Sequence, residues 1–292
     1  MQSNNKHIGI LLVALSGICY GLIPTFARIA YSAGTSTNTL LLLRFTVGAI
    51  FILILMGVKK VPFPSPKEII SYLFLGSIAY FGQSFCYFTV LKYTTSSVVA
   101  LLLYTYPAMV MAGSAIIFRE RITPLKLLSL VLALIGAFLI VGSEFDSNRT
   151  GILLSILCAV IYSCYILISS RVVKPGMGMQ SSAFIMLGVA VVYGILTMIE
   201  GFTPPQQASG YLGIALLAVV STAFAFWTFL AGLERIGPSD AALVSITEPV
   251  VVVLASILIL SEPFTLKTVF GGLLIITALV ITALHVEKAQ KY

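Results

Sequence analysis

Charge is what this sequence has least of. Only 9% of its 292 residues are Asp, Glu, Lys or Arg, while 59% are hydrophobic. A soluble domain carries about 25% charge. There is too little polar surface to cover a water-facing globule. Histidine is almost as scarce, with His7 and His285 near opposite ends of the chain. A His-based metal or general-base site needs its ligands together. No catalytic residue, metal site or cofactor is therefore expected, and the chain reads as no enzyme. The four cysteines, Cys19, Cys86, Cys158 and Cys164, show no metal or redox spacing. They fall in apolar stretches and read as small packing residues. No Gly-x-x-x-x-Gly-Lys-[Ser/Thr] loop is present, so the chain does not itself hydrolyse ATP. No ring of like charges or filter-like glycine run points to a channel. The net charge is +7, but no basic stripe interleaved with aromatics accompanies it, which argues against nucleic acid as a partner.

What the chain has in abundance is apolar stretches of membrane-spanning length, roughly 20 residues each. Hydropathy places ten of them at about 8–30, 38–57, 69–91, 96–118, 124–143, 150–172, 180–200, 210–232, 239–261 and 266–285. They are apolar throughout, whereas a barrel would show strict alternation over about 10 residues. The breaks carry turn chemistry, as in Pro62-Phe63-Pro64-Ser65-Pro66, Lys174-Pro175-Gly176 and Thr203-Pro204-Pro205. The first stretch has one lysine before it and no small-residue cleavage site, so it reads as a retained helix. With the N-terminus inside, the inside segments hold 12 Lys and Arg and the outside loops only Lys92, Arg149 and Lys267. The positive-inside rule then sets both termini in the cytoplasm of a multi-pass inner-membrane protein.

The two halves match at a constant offset of 142 residues. Gly9-Ile10-Leu11-Leu12 pairs with Gly151-Ile152-Leu153-Leu154, Tyr20 with Tyr162, and Ser97 with Ser239. Further on, Thr105 pairs with Thr247, Pro107 with Pro249, Glu120 with Glu262, and Thr123 with Thr265. Leucine matches are cheap in so apolar a chain, but Pro, Glu, Thr and Tyr matches are not. The expected fold is an all-α membrane protein whose ten helices form two five-helix repeats, 1–143 and 144–292. Five is odd, so the second repeat must cross in the opposite sense. Inverted repeats of this kind place a ligand site near the midplane.

The repeats resemble the EamA domain of the drug/metabolite transporter superfamily. The resemblance rests on an apolar helix leading to Pro107 or Pro249, a terminal Glu120 or Glu262, and a following Gly-bearing helix such as Leu134-Ile135-Gly136. Thr247-Glu248-Pro249-Val250 is similar to the family's second repeat. The family often has Gly before the terminal Glu, where Arg119 and Ser261 stand here. The resemblance implies a ten-helix, non-ATP carrier with a central cavity, often an exporter of amino acids or related metabolites. Alternatives are a drug or amphiphilic-cation efflux carrier, or a membrane-embedded enzyme. The partners expected are a small-molecule substrate, the lipid bilayer and, for a coupled carrier, H+.

Several residues are candidates for the site. Pro107 and Pro249 lie near the centres of their spans, where each would break the helix and free the carbonyl of Leu103 or Ser245. The bland alternative is a kink closed by packing. Glu248 is the single acidic residue deep in a span. A charge there costs about 2.5–3.5 kcal/mol on insertion scales, so a role in proton coupling or in meeting a substrate amine competes with a structural hydrogen bond. Its counterpart in the first repeat is Tyr106. Arg44, a third of the way into the second span, reads first as a snorkelling or carbonyl-capping arginine, and otherwise as pairing with Glu248 or as a carboxylate ligand. Arg28, nearer its helix end, reads as snorkelling. Polar residues recur at helical spacing in three spans: Ser16, Tyr20 and Pro24; Ser77, Tyr80, Gln83 and Tyr87; and Ser155, Cys158, Tyr162, Tyr165 and Ser169. Lipid offers such faces no partner, so they should point inward. With Trp227 as an aromatic wall, they give a cavity rich in rings and hydroxyls and poor in cations. That disfavours sugar phosphates and suits an amino acid, a neutral metabolite or an amphiphilic cation.

Overall fold

The computed structural model describes residues 2–90, 93, 102–141, 149–260 and 266–288, and every regular element among them is helical. Glu262, with Ser261 and Pro263, lies outside the described residues, as do Ser97 and the start of the span at 96. The first half contains α1 (Gln2–Gly21), α2 (Ile23–Ser32), α3 (Thr37–Val58), α4 (Pro66–Phe74), α5 (Phe81–Val90), α6 (Tyr106–Phe118) and α7 (Pro124–Val141). The second contains α8 (Arg149–Val172), α9 (Gly178–Glu200), α10 (Ala208–Ala218), α11 (Ala225–Ile236), α12 (Pro238–Val244), α13 (Glu248–Leu260) and α14 (Leu266–Lys288).

Among the described residues, six helical stretches are long and apolar enough to cross a membrane: Lys6–Ser32, Thr37–Val58, Pro66–Val90, Arg149–Val172, Gly178–Glu200 and Ala208–Ile236. Tyr106–Phe118, Pro124–Leu139 and Val269–Leu284 are shorter apolar helices. Their outward faces carry large bare side chains such as Leu11, Ile54, Ile116, Leu153 and Met198. In water this would be an aggregation surface; in hydrocarbon it is the solvated face. The helix ends follow from local chemistry. Ser36 caps α3 by accepting from the Thr39 N–H. At the start of α4, the Glu68 carboxylate reaches back to accept from the Ser65 N–H, as the acidic residue of a capping box does, and accepts from the Ser65 hydroxyl as well.

The halves interlock. α1 packs along α11, α3 along α9, and α7 along α14, so each pair joins one half to the other. Where α4 and the residues just after it cross α9, a Cβ on Gly76 would strike the Ile185 carbonyl, and one on Gly188 would strike the Leu73 carbonyl. These two glycines let the backbones touch, as small residues do in membrane helix pairs.

Among the described residues, two π-helical segments break the α-helical winding. A π-helical segment, Leu75–Tyr80, joins α4 to α5, and a second, Val219–Phe224, joins α10 to α11. Each is six residues long and they stand at equivalent places in the two halves. A π turn inserts a residue, so everything after it is rotated relative to an unbroken helix; such bulges gather at functional sites.

Candidate functional site

The site begins where the chain between α12 and α13 loses its α-helical winding. Gly237, at φ +81°, starts α12, and Ser245–Thr247 then form a single 3-10 turn. Pro249 is the second residue of α13. Pro107 is likewise the second residue of α6, after a turn at Tyr104–Thr105. Neither proline sits inside a continuous helix. Each stands at a helix start, where a missing N–H costs nothing. The Ser245 carbonyl, expected from sequence to be freed, accepts instead from the Glu248 N–H. The tighter turn reabsorbs the acceptor that an α-helical kink would have left open.

Glu248 thus opens α13, where the helix dipole favours a negative group. Among the described residues no hydrogen bond or ion pair closes on its carboxylate. It faces a cavity of about 110 Å³. A water needs about 10–15 Å³ of such space, so the cavity holds several waters or a ligand's polar groups. The wall is drawn from both halves: Tyr20, Ile23 and Pro24; Arg44; Tyr80, Gln83, Ser84, Tyr87 and Phe88; Leu103, Tyr104 and Tyr106; Tyr162; and Glu248.

Nine of the residues singled out from sequence meet here: Tyr20, Pro24, Arg44, Tyr80, Gln83, Tyr87, Tyr106, Tyr162 and Glu248. Tyr165, Ser245 and Trp227 are among those that do not line it. Tyr165 is 1% exposed and forms a layer behind the wall, edge-on to Tyr80 at 5.0 Å and stacked on Tyr162 at 6.1 Å. Helical spacing identified its face but not its depth. Ser245 turns back to donate to the Ala241 carbonyl at 2.8 Å, the local bond that short hydroxyl side chains favour. Trp227 packs edge-on to Phe224 at 5.9 Å, with the Lys59 ammonium 5.0 Å from its ring centre. Its neighbour Phe226 is fully buried and packs behind the wall, 4.6 Å from Tyr80 and 6.2 Å from Tyr20 between ring centres. The extra residue of the Val219–Phe224 segment rotates everything after it, and no hydropathy signal marks that insertion.

Sequence reasoning missed Tyr104. Tyr104 and Tyr106 are two residues apart and would face nearly opposite ways on one helix. The turn at Tyr104–Thr105 brings both to the same wall. Other wall residues are braced from behind. Cys158 Sγ donates to the Gln83 carbonyl at 3.5 Å, and the Gln83 amide donates back to Cys158 Sγ at 3.8 Å. Ser84 Oγ and Tyr193 Oη share a hydrogen bond of 3.0 Å.

Arg44 corrects another expectation. It does not snorkel. Only 4% exposed, it donates from Nε to Thr222 Oγ1 at 2.7 Å. Its Nη2 is buried with no acceptor among the described residues. No ion pair joins it to Glu248, although both stand on the cavity wall.

Away from the cavity, Glu120 and Lys126 of the first half meet Ser239 and Asp240 of the second. Glu120 accepts from Lys126, from Ser114, and from Ser239 at 2.7 Å, and Lys126 Nζ lies 2.7 Å from an Asp240 oxygen. Burial pushes the Glu120 carboxyl up. The donors Lys126, Ser114 and Ser239 outweigh that and hold it below the usual carboxylate range. A second bridge between the halves, Glu68 to Lys174 at 2.6 Å, caps the start of α4.

The chain is similar to known proteins over most of its length. It is 24% identical over 276 residues to the uncharacterized transporter YcbK of Bacillus subtilis (strain 168), covering 90% of this chain and 88% of the relative. To the uncharacterized transporter YyaM of the same organism it is 26% identical over 302 residues, covering 98% and 97%. To the aromatic amino acid exporter YddG of Ancylobacter novellus it is 24% identical over 207 residues, covering 69% and 70%. A solved crystal structure superimposes with a TM-score of 0.82 at 22% identity, over 98% of this chain and 100% of that one, which shows the fold. The profile of the EamA-like transporter family matches twice, over residues 7–142 and 149–284. With both halves matched, the chain is a multi-pass membrane protein that belongs to the EamA-like transporter family.

Proposed function

We propose that this transporter is a secondary carrier of the inner membrane that exports amino acids or related small metabolites, using Glu248 to couple export to H+. In this reading ten helices form two inverted repeats, 1–143 and 144–292, with both termini in the cytoplasm. The observation that carries it is the Glu248 carboxylate, unpaired among the described residues at the start of α13, on a cavity shared by both halves. A carboxyl in that position is neutral when it holds a proton and needs a cationic partner when it does not. A coupled carrier requires this alternation, because proton and substrate must prefer different states to shift the equilibrium. The tyrosine-rich wall supplies flat apolar faces with hydroxyl tips, which suit an amino-acid side chain. The similarity to an aromatic amino acid exporter adds support.

The charge count that sets the termini inside puts the cavity in the outer half of the bundle, with the Glu120–Lys126–Asp240 cluster at the cytoplasmic end. Efflux of amphiphilic cations is the second reading, favoured by the same rings and carboxylate.

The test is counterflow in proteoliposomes with labelled L-phenylalanine, L-leucine and tetraphenylphosphonium, followed by uptake driven by a pH gradient. Glu248→Gln keeps the shape of the side chain and cannot ionise. It should still exchange label and should lose at least 10-fold of the gradient-driven rate. Unchanged gradient-driven transport in the variant would make Glu248 a structural carboxyl. Exchange of the phosphonium alone would favour the second reading.

A further inference from the structure

A guanidinium is the other charge on the cavity wall, and its surroundings are built. Arg44 lies on α3 and is fixed at its Nε by Thr222 Oγ1, 2.7 Å away in the opposite half. Thr222 belongs to the π-helical segment Val219–Phe224, and its hydroxyl proton is already committed to the Leu217 carbonyl, five residues back, at 2.8 Å. The hydroxyl can therefore only accept from Arg44, which holds the fork in one orientation. The Phe45 ring, centred 5.0 Å from the guanidinium carbon, supports it on one side. Among the described residues, Nη2 is left with no acceptor. A guanidinium cannot lose its charge, and an unmet charged donor is costly in a low-dielectric interior.

Lys59 and Trp227 stand away from the cavity, and the Glu120 cluster is closed on itself. Among the described residues, Arg44 alone combines a cavity wall with an unmet donor.

We infer that Arg44, positioned by Thr222, is a carboxylate subsite of the cavity, so that the substrate carries a carboxylate at one end and, toward Glu248, an ammonium at the other. The inference rests on the carrier reading and deepens it: it selects a zwitterion over an amphiphilic cation. A guanidinium fork suits a carboxylate because two parallel N–H donors match its two oxygens. Lysine keeps the charge but not the fork. An incoming carboxylate supplies the missing acceptor to Arg44, and the ammonium supplies the missing partner to Glu248. A cation without a carboxylate satisfies only the second.

The experiment uses matched probes on the full-length protein in nanodiscs, with equilibrium binding and counterflow read separately. The probes are L-phenylalanine, L-phenylalaninamide and phenethylamine, with L-leucine, L-leucinamide and isoamylamine as a second series. In the wild type, at least one acid should bind 10-fold or more tightly than its amide and its amine. Arg44→Gln should bring that ratio to within 2-fold of unity by weakening the acid alone. Thr222→Val should lower the ratio at least 3-fold, while Thr222→Ser, which keeps the hydroxyl, should stay within 2-fold of wild type. Thr222→Val keeps the question answerable if Arg44→Gln does not fold. Amides or amines that match the acids in the wild type overturn the subsite, as does a ratio unchanged in the variants or a failure of both acids to bind. Acids that bind with the expected ratio but never exchange leave the subsite standing and remove the carrier reading. Amines that exchange while acids do not remove the subsite and leave the carrier.

Discussion

Lys126 Nζ lies 2.7 Å from a carboxylate oxygen of Asp240 and also bonds Glu120, so one ammonium ties α7 of the first half to α12 of the second. The Lys126 side chain is only 6% exposed. Removing one member of a buried ion cluster strands the others, which costs about 3–5 kcal/mol when all are fully buried. Glu120 is part-exposed, so the lower end applies. Lys126→Ala should lose about 2–3 kcal/mol, read as an earlier unfolding midpoint in a detergent titration. A midpoint equal to wild type would mean that water reaches the cluster freely.

The same cluster has a pH signature. The Glu120 carboxyl is held below its ordinary value in the folded protein. It therefore adds stability above its unfolded pKa of about 4.3, and that stability fades as pH falls through the lower folded value. The thermal midpoint should drop on acidification from about pH 5 downward. Glu120→Gln should be less stable than wild type at neutral pH, and the two should converge in acid. Curves that stay parallel throughout would place the acid sensitivity elsewhere.

Gly76 and Gly188 hold α9 at backbone contact with the end of α4 and the π-helical segment that follows it. A methyl at either meets a carbonyl that belongs to the opposing backbone and cannot rotate away. Gly76→Ala and Gly188→Ala should each cost about 1–3 kcal/mol, and the double variant should cost less than the sum, since one displacement relieves both clashes. Additivity in a double-mutant cycle is the contrary result.

Phe226 and Trp227 exchange the importance that side-chain size suggests. Phe226 fills the space between Tyr20 and Tyr80, while Trp227 lies against Phe224 and Lys59. Phe226→Ala should cost about 3 kcal/mol and weaken ligand binding by loosening both tyrosines. Trp227→Ala should be milder on both counts. The opposite order, measured by unfolding and by binding, would mean that the π-helical segment does not set this register.

Orientation is tested by labelling. In a cysteine-free background, a cysteine placed at Lys60 should be shielded from an impermeant maleimide added to whole cells, and one at Gln206 should react. The reversed pattern would contradict the orientation drawn from Lys and Arg, and with it the outward placement of the cavity.

Much of the site was legible because polar side chains among lipid-facing neighbours have few places to go. Tyr20, Tyr80, Gln83, Tyr87 and Tyr162 each recur at helical spacing on an otherwise apolar span, and all five line the cavity. Glu248 was legible from cost, since a carboxyl so deep needs a reason to be there. What spacing could not convey was where the winding changes. The π-helical segment before Phe226 and Trp227, and the turn that sets Tyr104 beside Tyr106, leave no trace in periodicity.

The sequence by itself determined the solvent, the helical class and the repeat: 9% charge and long apolar stretches demand a bilayer, backbone groups in lipid must satisfy one another within helices, and the scarce residues Pro, Glu, Thr and Tyr betray the 142-residue period. Only the tertiary structure decided which of the inward faces reach open space, and that Arg44 meets Thr222 rather than Glu248. The reason is that Arg44 and Thr222 are 178 positions apart in sequence. Their contact depends on how α3 crosses the π-helical turn before α11, a relation between two helices that no pattern along one of them records.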